Sequence, residues 1–389
     1  MQALKNLFGN IAVLSLGLLI GFLLLEGIIR FSQLFSEVNV SVPLEALNER
    51  GETVYKANLD IMRDAEHAGL PQVRVYTNSE GFVGKDYLRQ SDEPRIIALG
   101  DSFTAAVGVD TDKNFVSLLE QGMRVPVMNF GVGGQGTVEQ LLRYKKVASA
   151  WDHKLVVVFF YTNDFENNQY YLPYRDRFGS GGWEDVPLSN ANNNLGRKDL
   201  KYLLLKNSEA IQLIDSKVRS NAFLETIAIK TGLHHAGVMG VPTEGIHPAF
   251  FMYQKPTPEN QRQVFEFTGE VLKTFKKTVE ENDAHLAVVY LPEAPAVNVK
   301  LFEQKKAELP PLGTYEWDFD TPPRALAEAL KDAGIPFLDL TPVFRHRFAE
   351  NPDAVLYANG GGHFTEAGHM LVFEAVTPFV AGLLGKPAN

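Results

Sequence analysis

A three-layer α/β fold, one parallel sheet covered by helices on both faces, is what this chain predicts. Three observations carry that expectation. From Arg95 onward, short apolar runs alternate with helical stretches. The run KLVVVFFY (154–161) is mostly Val and Phe, the composition of a strand buried on both sides. Strands and helices succeed one another singly rather than in blocks, which is the order of a parallel sheet with crossover helices.

Element by element, RIIAL (95–99) reads as the first strand and NFVSLLEQ (114–121) as the helix that follows it. VPVMNF (125–130) is the second strand. TVEQLLRYKKVASA (137–150) is a helix that gathers Val138, Leu141, Leu142 and Ala148 on one face. After KLVVVFFY the regularity breaks. Residues 165–257 are rich in Asn, Gly, Pro and aromatics, with a helical patch around 199–231, and are too long for a connecting loop. An inserted lid is expected there. A helix at 258–281 restores the pattern, followed by strand HLAVVYL (285–291), a helix near 323–333, strand PFLDL (336–340) and a last helix near 365–384.

The bulk properties narrow the function. A net charge of −10 and the lack of any basic stripe argue against nucleic acid as a partner. With no cysteine, disulfides, thiolate catalysis and Cys-ligated metals are excluded. Near the N-terminus, Leu7 to Leu25 reads LFGNIAVLSLGLLIGFLLL, with only Asn10 and Ser15 polar. As a helix it would span roughly 28 Å, about the hydrocarbon thickness of a bilayer. The EGIIRFSQLFSEV that follows offers no Ala-x-Ala-like cleavage site, so residues 7–25 read as an uncleaved anchor in the lipid bilayer rather than a signal peptide or a buried core helix. Lys5 precedes the span while Glu26, Arg30 and Glu37 follow it, which favours an inside N-terminus and a periplasmic or extracellular C-terminal domain. Three regions result: an anchor at 1–35, a stalk and lead-in at 36–93 with a turn-like TNSEGF at 77–82, and a domain at 94–389 with its insertion at about 165–257. Whether the span also packs against a membrane-protein partner stays open.

A parallel sheet places its functional loops past the carboxyl ends of its strands. Past the first strand comes GDSFT, with Ser102; past the second, NFGVGGQGT; past the third, TND, with Asn163 and Asp164. GGGHFTEAGH, with His363 and His369, stands before the last helix. A hydroxyl, an imidazole and two sources of N–H donors are what acyl transfer requires.

These four stretches resemble the blocks of the SGNH hydrolase family, the esterase and lipase group also called GDSL. The resemblance runs from about Thr77 to the C-terminus, apart from the insert. It implies a flavodoxin-like α/β sheet. It also implies Ser102 as nucleophile, His363 as general base, and an oxyanion hole made by the Ser102 amide, Gly134 and Asn163. The implied reaction is hydrolysis of O-acyl esters through an acyl-enzyme, with acetyl groups on envelope or extracellular polysaccharide as substrate. An O-acyltransferase would use the same residues with a sugar hydroxyl in place of water. No cofactor and no metal are assigned.

Two departures stand against the family pattern. Tyr161 replaces the glycine that usually opens the third block. Gly360 and Gly361 stand where an aspartate usually orients the histidine. A backbone carbonyl could orient His363 instead, or an acid from elsewhere, Asp353 and Glu366 being nearest in sequence. The third reading is a degenerate site on an accessory or structural subunit of a membrane complex.

Plainer roles exist for each residue. Ser102 could cap a helix, His363 could lie on the surface, Asn163 could form a turn, and His369 reads as structural. Gly131-x-Gly-x-x-Gly136 matches a dinucleotide fingerprint, but Asp152 lies before the next strand and Asp164 comes too late to serve as its acid. The insert's Tyr170, Tyr171, Tyr174, Phe178 and Trp183 could stack on sugars, accept an acyl chain, or simply form a core. His234–His235 and the Asp318-x-Asp320 pair lack further ligands for a metal.

Overall fold

The computed structural model describes residues 45–47, 53–65, 72–178, 246, 248–358 and 362–385, together with Gly17, Gly21, Phe22, Leu24 and Glu26. The chain divides into two compact units. In the first, Met1–Pro43 with Asn193–Ala236, the five residues just named are helical and Leu24 is exposed. The expected span at 7–25 otherwise lies outside the described residues, as do the helical patch at 199–231, Trp183 and His234–His235. Among the described residues, no helix is long and apolar enough to cross a membrane.

The second unit, Leu44–Asn192 with Gly237–Asn389, holds the α/β fold. It begins with two antiparallel pairs, β1 (Glu45–Leu47) with β2 (Thr53–Tyr55) and β3 (Asp60–Arg63) with β4 (Val73–Tyr76). This lead-in is part of the packed body. Val54 and Phe82 are buried in the same apolar cluster as Phe130 and Trp151, and the Phe82 and Phe130 rings lie 4.7 Å apart.

Seven strands follow: β5 (Ile96–Gly100), β6 (Val127–Asn129), β7 (Leu155–Tyr161), β8 (Gln254–Lys255), β9 (His285–Leu291), β10 (Glu316–Trp317) and β11 (Phe337–Asp339). β8 and β10 form a small antiparallel ribbon. The other five make one wholly parallel sheet in the order β11-β9-β7-β5-β6. Counted along the chain from the β6 edge, that order is 2-1-3-4-5. Its direction reverses between β5 and β7, where such sheets open a crevice beyond the strand ends.

The helices are α1 (Ser102–Ala105), α2 (Phe115–Met123), α3 (Thr137–Lys146), α4 (Asp164–Gln169), α5 (Leu172–Phe178), α6 (Glu259–Glu280), α7 (Ala294–Val297), α8 (Val299–Glu308), α9 (Thr321–Ala333), α10 (Thr341–Glu350) and α11 (Glu366–Leu383). Successive strand residues point to opposite faces, so each strand feeds two cores. Ile97 and Leu99 of β5 pack with Val138 and Leu141 of α3, Phe267 and Val271 of α6, and Leu326 of α9. Ile96 and Ala98 pack with Phe115 and Leu119 of α2, Phe344 of α10, and Val372 and Val376 of α11. Each fully buried Val, Leu or Phe contributes about 1.5–3 kcal/mol, which makes the sheet the rigid reference against which the loops are held.

The described aromatics at the two ends of the insert form core. Tyr171 is buried in the first cluster and Tyr170 packs against it. At the other end, Tyr253 lies 5.0 Å from Phe319, and Phe250 lies 5.4 Å from Trp317.

Candidate active site

β5 is buried along its whole length and ends by delivering Asp101 and Ser102 to the carboxyl edge of the sheet. Asp101, fully buried, is the N-cap of α1: its side chain accepts the Phe103 N–H at 2.9 Å. The capping task therefore falls to the aspartate, and Ser102 stands at the first helical position, partly exposed. Its Oγ lies 2.7 Å from His363 Nε2, a hydrogen bond that joins residues 261 positions apart.

His363 is held from both sides. Its carbonyl accepts the Ala358 N–H at 2.8 Å, and Tyr357 and Phe364 pair as a β-bridge across it. Two residues on, Thr365 caps α11 by accepting the Gly368 N–H, while its hydroxyl donates to the Val355 carbonyl. The Phe103 ring lies 4.8 Å from the imidazole and stacks on Tyr161 at 3.7 Å. Tyr161, the departure from glycine, thus fills the space beneath the Ser–His pair with a second ring.

The two acids nominated for His363 by sequence proximity are both engaged elsewhere at the surface. Asp353 pairs with Lys300 at 2.7 Å and Glu366 with Lys113 at 2.8 Å. Gly360 and Gly361 lie outside the described residues. Asp101 is a carboxyl in Coulombic reach of His363. Burial pushes Asp101 up to about 6, while the Phe103 N–H, the charge of His363 and the Asn163 amide pull it down. Below it, Asp164 is pushed well above the usual carboxylate range by burial and by the Asp101 charge. Its Oδ2 accepts from the Gln140 amide at 2.9 Å.

The second block wraps the other side of Ser102. Asn129 donates to the Thr104 carbonyl and accepts the Gly131 N–H. At Gly131 a Cβ would lie 2.5 Å from the Ala105 nitrogen, so only glycine lets the loop pass this close behind α1. Gly134, exposed, has φ +66°, a left-handed conformation that turns the chain back toward α3. Asn163 follows β7 at the start of α4 without capping it. Its side chain lies close enough to the Asp101 carboxylate to lower it, and its Oδ1 is buried with no hydrogen-bond partner among the described residues.

The alternative roles separate here. The first turn of α3, where a dinucleotide phosphate would sit, is filled by the protein itself: Glu139 accepts the Gly136 N–H at 3.0 Å and Asn168 the Val138 N–H at 3.1 Å. Asp152 accepts the Ser91 N–H. Asp318 pairs with Arg324, and Asp320 with Arg345. Among the described residues no group of His, Asp and Glu could hold a metal. His369 is buried and its Nδ1 accepts the Phe115 N–H at 3.3 Å, tying α11 to α2. Burial and the nearby His363 push it down to about 3, so it stays neutral.

Sequence reasoning passed over two residues. The GDSFT motif singles out Ser102 rather than Asp101, whose electrostatic role depends on burial that a motif does not display. Glu293, two residues past HLAVVYL, occupies the same place after β9 that Asn163 occupies after β7, and that spacing was the available signal.

A family model of GDSL-like lipases and acylhydrolases matches residues 96–376. Among solved structures, the chain is similar to an acetylxylan esterase from Geobacillus stearothermophilus, at 12% identity over 74% of this chain and 94% of that one, with a TM-score of 0.38. It is also similar to LAE5, an α/β-hydrolase enzyme from the metagenome of Lake Arreo, Spain, at 11% identity over 77% and 99%, with a TM-score of 0.40. No curated protein matches the chain.

Proposed function

The chain belongs to the GDSL-like lipase/acylhydrolase family, and from that premise we propose that it is a membrane-anchored serine esterase acting on O-acyl esters, acetyl groups of envelope or extracellular polysaccharide foremost. The observation that carries the reading is the 2.7 Å contact between Ser102 Oγ and His363 Nε2. Ser102 Oγ attacks the ester carbonyl carbon as His363 Nε2 takes its proton. The carbonyl electron pair moves onto oxygen, where the Ser102 amide, the Gly134 amide and the Asn163 side chain receive it. On collapse the alcohol leaves with the proton from His363, and a water activated by the same nitrogen releases the acid. Asp101 supports the imidazolium from behind: a buried carboxylate in Coulombic reach of His363 stabilises its charged form.

Residues 7–25 hold the chain in the bilayer in this reading, with the C-terminal domain outside the cytoplasm. The support is the length and apolarity of that segment.

Labelling with a serine-reactive fluorophosphonate tests the chemistry. Wild type is expected to label, and Ser102→Ala and His363→Ala to lose labelling altogether. A folded wild type that stays unlabelled even by a small probe refutes an activated serine.

A further inference from the structure

Glu293 extends the row of site residues by one strand. β9 is hydrogen-bonded alongside β7, with Leu291 opposite Tyr161, so Glu293 and Asn163 each stand two residues beyond a paired position. Ser102 likewise stands two residues beyond Gly100, the last residue of β5. Asn163 and Glu293 thus occupy equivalent places on adjacent strands, while Ser102, level with Tyr161 in the register, stands on the next strand over at the same edge of the sheet, two residues short of that row. Two strand spacings, about 10 Å, separate β5 from β9.

The surroundings of Glu293 are built rather than incidental. Tyr253 donates its hydroxyl to Oε2 at 3.0 Å. Tyr253 in turn interacts with Tyr290, whose hydroxyl bonds Thr162 Oγ1 at 2.8 Å, beside Asn163. A chain of hydroxyls therefore connects the carboxyl to the β7 loop. Glu166 of α4 and Lys305 of α8, of opposite charge, lie in Coulombic reach of Glu293, as do Tyr161, Tyr290 and Tyr357. Burial raises all three tyrosines together with Tyr253, so they remain protonated. Burial likewise pushes Glu293 up to about 7, with the Tyr253 hydroxyl pulling it down and Glu166 pushing it up. Glu293 is nonetheless partly exposed, and among the described residues no donor bonds its Oε1. A carboxylate oxygen held by a fixed phenol on one side and open on the other is an acceptor waiting for a hydroxyl.

Resting on the esterase reading above, we infer that Glu293 binds the alcohol portion of the substrate, accepting a hydrogen bond from a free hydroxyl of a sugar or other polyol whose acyl group lies at Ser102. The spacing suits such an alcohol, since about 10 Å between strands accommodates one or two sugar rings beyond the ester. Glu293 acts in its charged form, and no proton need leave the substrate hydroxyl. It sets which ester is taken, while Ser102 and His363 carry the bond making and breaking.

The test compares kcat/KM for a mono-O-acetylated methyl glycoside, which has free hydroxyls, with that for p-nitrophenyl acetate, which has none. Fluorophosphonate labelling runs in parallel on the full chain. In wild type the ratio of the two is expected to rise with pH through about 7 as Glu293 ionises; a limb due to His363 cancels in the ratio. Glu293→Gln is expected to lower the ratio at least about tenfold, the size of one hydrogen bond to a charged group, and to flatten its pH dependence. Tyr253→Phe, which keeps the buried ring, removes the donor that favours the charged form, so the rise is expected to move to higher pH. A ratio unchanged in Glu293→Gln, with Ser102 still labelled, overturns this inference alone. A wild type that neither labels nor hydrolyses either ester overturns the esterase reading and this inference with it.

Discussion

Asp101 links three parts of the site through one side chain. It caps α1, it meets the Asn163 amide, and its charge acts on His363. The Asn163 amide beside Asp101 has N–H groups for a developing oxyanion. Asn163→Ala is therefore expected to lower kcat by about 10²–10³ with KM little changed, the usual loss for one oxyanion donor. Steady-state kinetics with an acetyl ester checks this, and an unchanged kcat removes Asn163 from the oxyanion hole. Ser102, Gly134, Asn163 and His363 are nameable from the sequence because each follows a strand or precedes a helix inside a short motif. The charge on Asp101 is not, because its complete burial is a product of the fold and not of the motif.

Among elements, α11 matters most to the base. Thr365 both caps this helix and fastens it to the 355–358 loop that carries His363. Thr365→Val keeps the shape and removes both bonds. It is expected to cost about 1 kcal/mol of stability, within the 0.5–2 kcal/mol range of N-cap losses, and to lower kcat as well, because the imidazole loses its fixed backbone. Thermal melts and ester kinetics on the same variant check both effects. The major elements were legible because their periodicity is strong: HLAVVYL (285–291) coincides with β9, and 258–281 with α6 but for one residue at each end. α10 was not anticipated. Its TPVFRHRFAE buries only Thr341, Phe344 and Phe348, too few apolar positions among charged ones to announce a helix. The strands of the lead-in are three or four residues long and leave no period to read; β3, for example, is DIMR with only partial burial.

At the scale of the whole molecule, buried acids shape the response to pH. Asp101, Glu139 and Glu293 are raised to about 6, 7 and 7 by burial, and burial also raises Asp164 well above the usual carboxylate range. A carboxyl raised by folding contributes stability that is complete below its unfolded value near about 4 and is lost as pH rises through its folded value. His369, lowered to about 3, works the other way: its contribution is present above about 6.5 and is lost as pH falls toward 3. His153, lowered by burial, acts in the same direction as His369, and Asp60, Asp318 and Asp353, held low by Arg74, Arg324 and Lys300, also lose their contribution as pH falls. The unfolding temperature is expected to peak near about pH 4 and fall by pH 8, and Asp164→Asn is expected to shallow that fall. Calorimetry across this range decides it; a midpoint still rising at pH 8 contradicts these ionisation states. For the proposed anchor, the full chain is expected to stay in carbonate-washed membranes and a chain lacking residues 1–35 to be released. Release of both places the anchor elsewhere or nowhere.

The bond between Ser102 and His363 also imposes a schedule. At about 5–20 residues per second, the ribosome needs about 13–50 s to go from the serine to the histidine 261 residues later. For that interval the nascent chain carries a serine hydroxyl without its base. Reactivity arrives only when the last helix docks, so a polypeptide on its way through a membrane would meet esters in transit while still inert. Nascent chains stalled before residue 363 should resist the fluorophosphonate, and completed ones should not.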